Sequence, residues 1–165
     1  MVLKDNGVSV TCSSAATTRA STVTGSIPTA TAKGASPVKI GTVAALRLKN
    51  CTGPRGGGQG QQASVPGQSR LDDQQRGQTD AMITGVNASV AMKGCSFTVT
   101  GRAPGFYANS THKLKMTPKL PITPLTKAQL TISNVAGCAG LIMNGDHPTF
   151  TATYTVSRAI KITSK

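Results

Sequence analysis

From Thr149 to Val156 the chain alternates without a break: Phe150, Ala152, Tyr154 and Val156 take one parity, and Thr149, Thr151, Thr153 and Thr155 the other. Successive side chains of an extended chain point to opposite faces, so this run builds a strand with one buried and one wet face. Just upstream, Asn144-Gly145-Asp146 predicts a tight turn, because Asn and Gly tolerate positive φ. Cys138 precedes that turn, between Gly137 and Gly140. Strand, turn and cysteine together set the pattern that the rest of the chain has to match, and it is a β pattern.

Composition points the same way. Glu is absent and Thr is abundant, which removes a helix former and adds a strand former. The 165 residues predict a single β domain over 1–165, long enough for a core. Hydrophobic residues make up 38% and aromatics 3%, with no Trp, so that core is thin and needs covalent help. Against 18 Lys and Arg stand five acids, Asp5, Asp72, Asp73, Asp80 and Asp146, for a net charge of +13. A chain so charged is drawn to polyanions, although solubility alone also accounts for the charge.

Cys12, Cys51, Cys95 and Cys138 form an even, widely spaced set with no Cys-x-x-Cys pair. Neither His112 nor His147 lies at zinc-ligand spacing from a cysteine, so the reading is two disulfides and an oxidising compartment, with no metal. Three pairings exist. The sequential one, Cys12–Cys51 and Cys95–Cys138, is the expectation. Each bond would close a loop of roughly 40 residues and contribute about 4 kcal/mol through chain entropy. No apolar run reaches membrane-spanning length, and Met1-Val-Leu-Lys-Asp-Asn-Gly7 does not read as a signal peptide. The expectation is a secreted protein in a mature or truncated form with an added Met.

Along the chain, Val8, Val10 and Cys12 predict a first strand, Thr22–Thr24 an edge strand, and 38–51 another. From Arg55 to Asp80 the chain is rich in Gly and Gln, with Val65 and Leu71 its only sizeable apolar residues. That content does not offset ordering entropy, which predicts a long mobile loop over 55–80. Residues 81–92 and 95–100 predict a hairpin about Lys93-Gly94, and Arg102-Ala-Pro-Gly105 a turn. Strands are then expected over Phe106–Met116, around Leu130 and Ile132, and over the tail from Arg158 to Lys165. The fold class is therefore all-β, an antiparallel sandwich or barrel-like sheet stapled by disulfides.

Several stretches resemble a group of small secreted β-rich proteins of unknown function, with four cysteines, common in streptomycetes and related actinobacteria. They are Val10-Thr-Cys-Ser-Ser14, Asn50-Cys-Thr-Gly-Pro54, Ile83-Thr-Gly-Val86, the Gly94-Cys95 turn, and Asn134–Asp146 running into Thr149–Val156. The resemblance spans most of the chain and implies export and an all-β fold, with no established activity. This chain departs from the group in two places. The relatives carry a signal peptide and further β-like sequence before the first cysteine. After the Cys-Thr-Gly-Pro turn they carry an apolar strand and a Pro-Trp stretch, where this chain is Gly/Gln-rich. Similarity resumes at Ala81, which suggests a local reading-frame change in between.

Catalytic sets are not recognisable. There is no Gly-x-Ser-x-Gly elbow, and Asp146 and His147 are neighbours in an extended segment, where side chains point apart. Gly56-Gly57-Gly58-Gln59-Gly60 lacks the Gly-Lys-Ser/Thr of a phosphate loop. The basic stretch around His112, with Lys113, Lys115, Lys119 and Lys127, supplies candidate contacts to an anionic polymer. Without interleaved aromatics it is not a platform for specific nucleic-acid binding. The expectation is a secreted, non-catalytic β protein without cofactor, structural or binding at the cell envelope. A binding module for an anionic or carbohydrate polymer, and an enzyme of unfamiliar type, are the alternatives.

Overall fold

A computed structural model describes residues 2–5, 7–12, 22–26, 38–47, 51–53, 56–58, 63–75, 78–118, 129–157 and 160–162. The strands are β1 (Val2–Asp5), β2 (Val8–Thr11), β3 (Thr22–Ser26), β4 (Val38–Arg47), β5 (Cys51–Gly53) and β6 (Gly56–Gly58). They continue with β7 (Ala63–Gln75), β8 (Gln78–Met92), β9 (Cys95–Ala108), β10 (Lys113–Met116), β11 (Leu130–Ala136) and β12 (Thr149–Thr155). No helix occurs among the described residues. The strands pair antiparallel in the order β3-β4-β7-β8-β9-β10-β12-β1-β2-β5-β6, with β11 joined to β9 off this path, and the sheet curls into a half-barrel.

The curl is visible at Gly53 of β5. A Cβ built there would come within 2.6 Å of Met92 Sδ at the end of β8 and 3.8 Å of Val10 on β2. Strands remote in the sheet order thus meet across the interior. The core they enclose includes Val90, Phe97, Ile132, Phe150 and Met116, the last without any exposure. Aliphatic, methionine and cysteine side chains make up most of it, as the scarcity of aromatics requires.

Both disulfides form in the sequential pairing, Cys12–Cys51 and Cys95–Cys138, and no described cysteine is free. The first joins the ends of β2 and β5 beside the Thr11–Thr52 pair; the second ties the start of β9 to the segment after β11.

Four expectations need correction. The stretch 55–80 is not a loop throughout: β6, β7 and the start of β8 run through it, and β7 pairs with β4 on one side and β8 on the other. Ladder hydrogen bonds come from the backbone, so a strand between two neighbours is specified without an apolar side-chain pattern. Arg102–Gly105 is not a turn, since β9 continues through it. Pro104 is tolerated because its missing N–H faces the gap where β9 changes partner from β11, which pairs up to Gly101, to β10, which pairs from Gly105. The Pro104 carbonyl points into that gap and accepts from Thr117 N at 3.1 Å, and N–H and C=O of one strand residue share a side.

Phe106–Met116 is not one strand. Asn109–His112 form a turn between β9 and β10, with His112 at φ 52°. Asn, Ser and Thr, favoured in turns, occupy its first three positions. The tail is no strand at Ile160–Ile162; side chains hold it instead, as shown below. Like β6 and β7, β1 was not expected: it pairs with β12 and β2, and a turn through Gly7 at φ 83° leads to β2.

Candidate functional site

Register and parity together lay out one face. On β12, Thr149, Thr151, Thr153 and Thr155 are exposed while Phe150 and Ala152 are buried. β10 lies on one side of it, matching Lys113 with Thr155 and Lys115 with Thr153. On the other side β1 matches Lys4 with Thr149, β2 then matches Ser9 with Lys4, and Thr11 pairs with Thr52 of β5. Lys4, Ser9, Thr11, Thr52, Lys113 and Lys115 are all exposed. The result is a hydroxyl-rich outer surface crossed by Lys4, Lys113 and Lys115, with half-buried Val2 between Thr151 and Thr11.

Two contacts order it. Lys115 Nζ lies 5.8 Å from the centroid of the Phe106 ring, a cation–π distance that holds the ammonium over the β9 edge. Thr149 donates to the Lys4 carbonyl at 3.1 Å, so the hydroxyl row is tied to the neighbouring strand. Asp80, opposite Phe106 on β8, is the acid that continues the Lys115 row. Of the four lysines expected to contact a polyanion, Lys113 and Lys115 stand together on this face, while Lys119 and Lys127 lie outside the described residues. Lys4 was missed by sequence reasoning, because Val2-Leu3-Lys4-Asp5 has no alternation to mark it as a strand position.

The two histidines have separate local partners. Tyr107 donates its hydroxyl proton to the Ile160 carbonyl at 2.9 Å, so its oxygen accepts from His112 Nδ1 at 3.3 Å, which places a proton on Nδ1. His147 Nδ1 donates to the Leu130 carbonyl at 3.0 Å. The Asp146 carboxylate does not serve His147 but accepts from Met143 N at 2.8 Å, closing the turn. Among the described residues no cluster of His, Cys, Asp or Glu is placed to hold a metal ion.

Burial raises the Tyr154 hydroxyl well above its ordinary value and raises Tyr107 in the same direction. Both rings sit on the inner face, matched through Leu114 of β10. Thr79, opposite Tyr107 on β8, is buried with a hydroxyl that has no hydrogen-bond partner among the described residues.

No helix among the described residues is long and apolar enough to cross a membrane. No family model matches the chain, nor does any curated protein or solved structure.

Proposed function

We propose that this is an exported, non-catalytic β protein that works at the cell envelope by binding an anionic polymer through the outer face of β10, β12, β1 and β2. The observation that supports the reading is the row of exposed Lys113, Lys115 and Lys4 among the β12 threonines. Ammonium groups on flexible stems supply the attraction, and the hydroxyls supply hydrogen bonds to phosphate or sugar oxygens. The net charge of +13 adds long-range attraction, and the disulfides fit an oxidising compartment. Hydroxyls without the cations would instead favour a neutral carbohydrate polymer.

Retention on immobilised polyphosphate and on a neutral glucan separates these readings. The expected result is polyphosphate binding that weakens as salt rises, and that is about tenfold weaker in Lys113→Ala/Lys115→Ala, from the loss of two counterion-releasing contacts. Equal retention of the double variant would remove the face from the reading. Salt-independent retention on the glucan would move the ligand class to carbohydrate.

A further inference from the structure

The segment that follows β11 carries a second surface of different chemistry. Leu141 is 43% exposed and Met143 55%, the large hydrophobic side chains turned to solvent among the described residues, and between them Ile142 is buried at 4%. An ordinary loop would leave such side chains to move. This one is held at several points along its backbone. Cys138 is bonded to Cys95, and Leu141 N donates to the Cys138 carbonyl at 3.1 Å. Met143 N donates to Asp146 Oδ2 at 2.8 Å, and Val135 N to Asn144 Oδ1 at 3.1 Å. Gly145 N donates to the Ile132 carbonyl, and Ile132 N to the Asp146 carbonyl, both at 2.8 Å. Asn134, Gly137, Ala139, Gly140 and Gly145 all have positive φ, so the path is specific rather than generic.

We infer that this loop docks the protein on an anionic lipid surface, Leu141 and Met143 entering the boundary between headgroups and acyl chains. The apolar pair is small and is flanked by exposed Gly137, Gly140 and Gly145. It offers far less than the ~1,000 Å² that a stable protein interface or dimer needs. A lipid surface asks for less: a shallow apolar wedge together with positive charge. The charge is supplied by the whole molecule at +13 and locally by exposed Lys93, on the turn whose Gly94 carbonyl packs against Gly137. Asp146 is the acid of the loop, and its carboxylate is engaged with Met143 N. The bonded donors Leu141 N, Met143 N and Gly145 N need no water as a partner, so partial immersion leaves them satisfied.

The chain has no Trp, so M143W installs a single reporter at the tip. Cosedimentation and emission are read with phosphatidylcholine vesicles with and without phosphatidylglycerol. The expected result is binding and a blue-shifted M143W emission only with the anionic vesicles, and partitioning about tenfold weaker in Leu141→Ser/Met143→Ser. Both positions are exposed, and an unchanged melting curve of the double variant confirms an intact fold. Equal partitioning of that variant, or an unshifted emission on bound vesicles, overturns the inference. Self-association of the wild-type chain that disappears in the double variant also overturns it, assigning the loop to a contact between copies. Polyphosphate retention reads the lysine face and does not depend on Leu141 or Met143, so the two proposals fail separately.

Discussion

β9 is covered on one edge by two different devices, and the contrast between them explains much of the molecule. Along Ser96–Gly101 its neighbour is β11, and that half is closed by the Cys95–Cys138 bond and the hydrogen-bonded loop beyond it. Along Gly105–Ala108 its neighbour is β10, and that half is closed without covalent help. Asn109 grips Ile162 from both sides, donating to its carbonyl at 2.8 Å and accepting from its N–H at 2.9 Å, as a peptide group in a ladder would. Tyr107 donates a single bond to the Ile160 carbonyl at 2.9 Å, and Val156 N donates to the His112 carbonyl at 2.9 Å. One half therefore depends on oxidation, and the other on a side-chain amide and on a phenol that donates only while protonated.

The largest test of this contrast is removal of the covalent staple. Cys95→Ala/Cys138→Ala reopens a loop with a sequence separation of 43 residues, and the expected loss is about 4 kcal/mol of unfolding free energy in denaturant titration. Hydrogen exchange should accelerate in 130–146 more than in 113–116. Uniform acceleration of both segments would mean that the two halves open as one and that the contrast is only anatomical.

The tail segment Ile160–Ile162, a strap held by Tyr107 and Asn109, gives the next effect. Asn109→Ala removes both bonds to Ile162, at about 1 kcal/mol each, so a loss of about 2 kcal/mol is expected. Tyr107→Phe removes the bond to Ile160 from the same segment. If the strap acts as a unit, the double variant should lose less than the sum of the single ones. Strict additivity would show that Ile160 and Ile162 are held independently.

These two halves were unequally legible in the sequence. β12 and the β8–β9 hairpin could be read because alternation and turn residues act locally, whereas the thiol pairing, across sequence separations of 39 and 43, was expected only as the sequential one of three. The strap could not, because its partners lie 53 residues apart and Asn109 is indistinguishable in sequence from any turn asparagine. β1 does not alternate, since its two apolar residues, Val2 and Leu3, are adjacent. β7 was missed because apolar content reports side-chain burial, and its place in the sheet follows from ladders on both edges. On the lysine face, Lys113 and Lys115 were legible as a basic pair, whereas Lys4 joins them only through the β1–β12 register. Leu141 and Met143 look like core residues in sequence, and only the turn geometry puts them outside.

The smallest expected effect is a pH dependence confined to the strap-closed half. Burial raises Tyr154 above its ordinary value of 10.0 and Tyr107 in the same direction, so the folded state keeps these protons more tightly than the unfolded chain does. The stability this contributes is fully present below pH 10 and is lost as pH rises above it, where the unfolded state ionises first. Each buried tyrosine can cost at most about 1.4 kcal/mol per pH unit in that window. Tyr154→Phe should therefore flatten the alkaline decline relative to wild type while leaving the neutral region nearly level. Lysine deprotonation is common to both proteins and cancels in the difference. The slope should be unchanged by Cys95→Ala/Cys138→Ala, since the staple belongs to the other half of β9. An alkaline decline of equal slope in wild type and Tyr154→Phe would remove Tyr154 from the titrating groups, and an equal slope in Tyr154→Phe/Tyr107→Phe would leave the strap-closed half no more sensitive to pH than the stapled one.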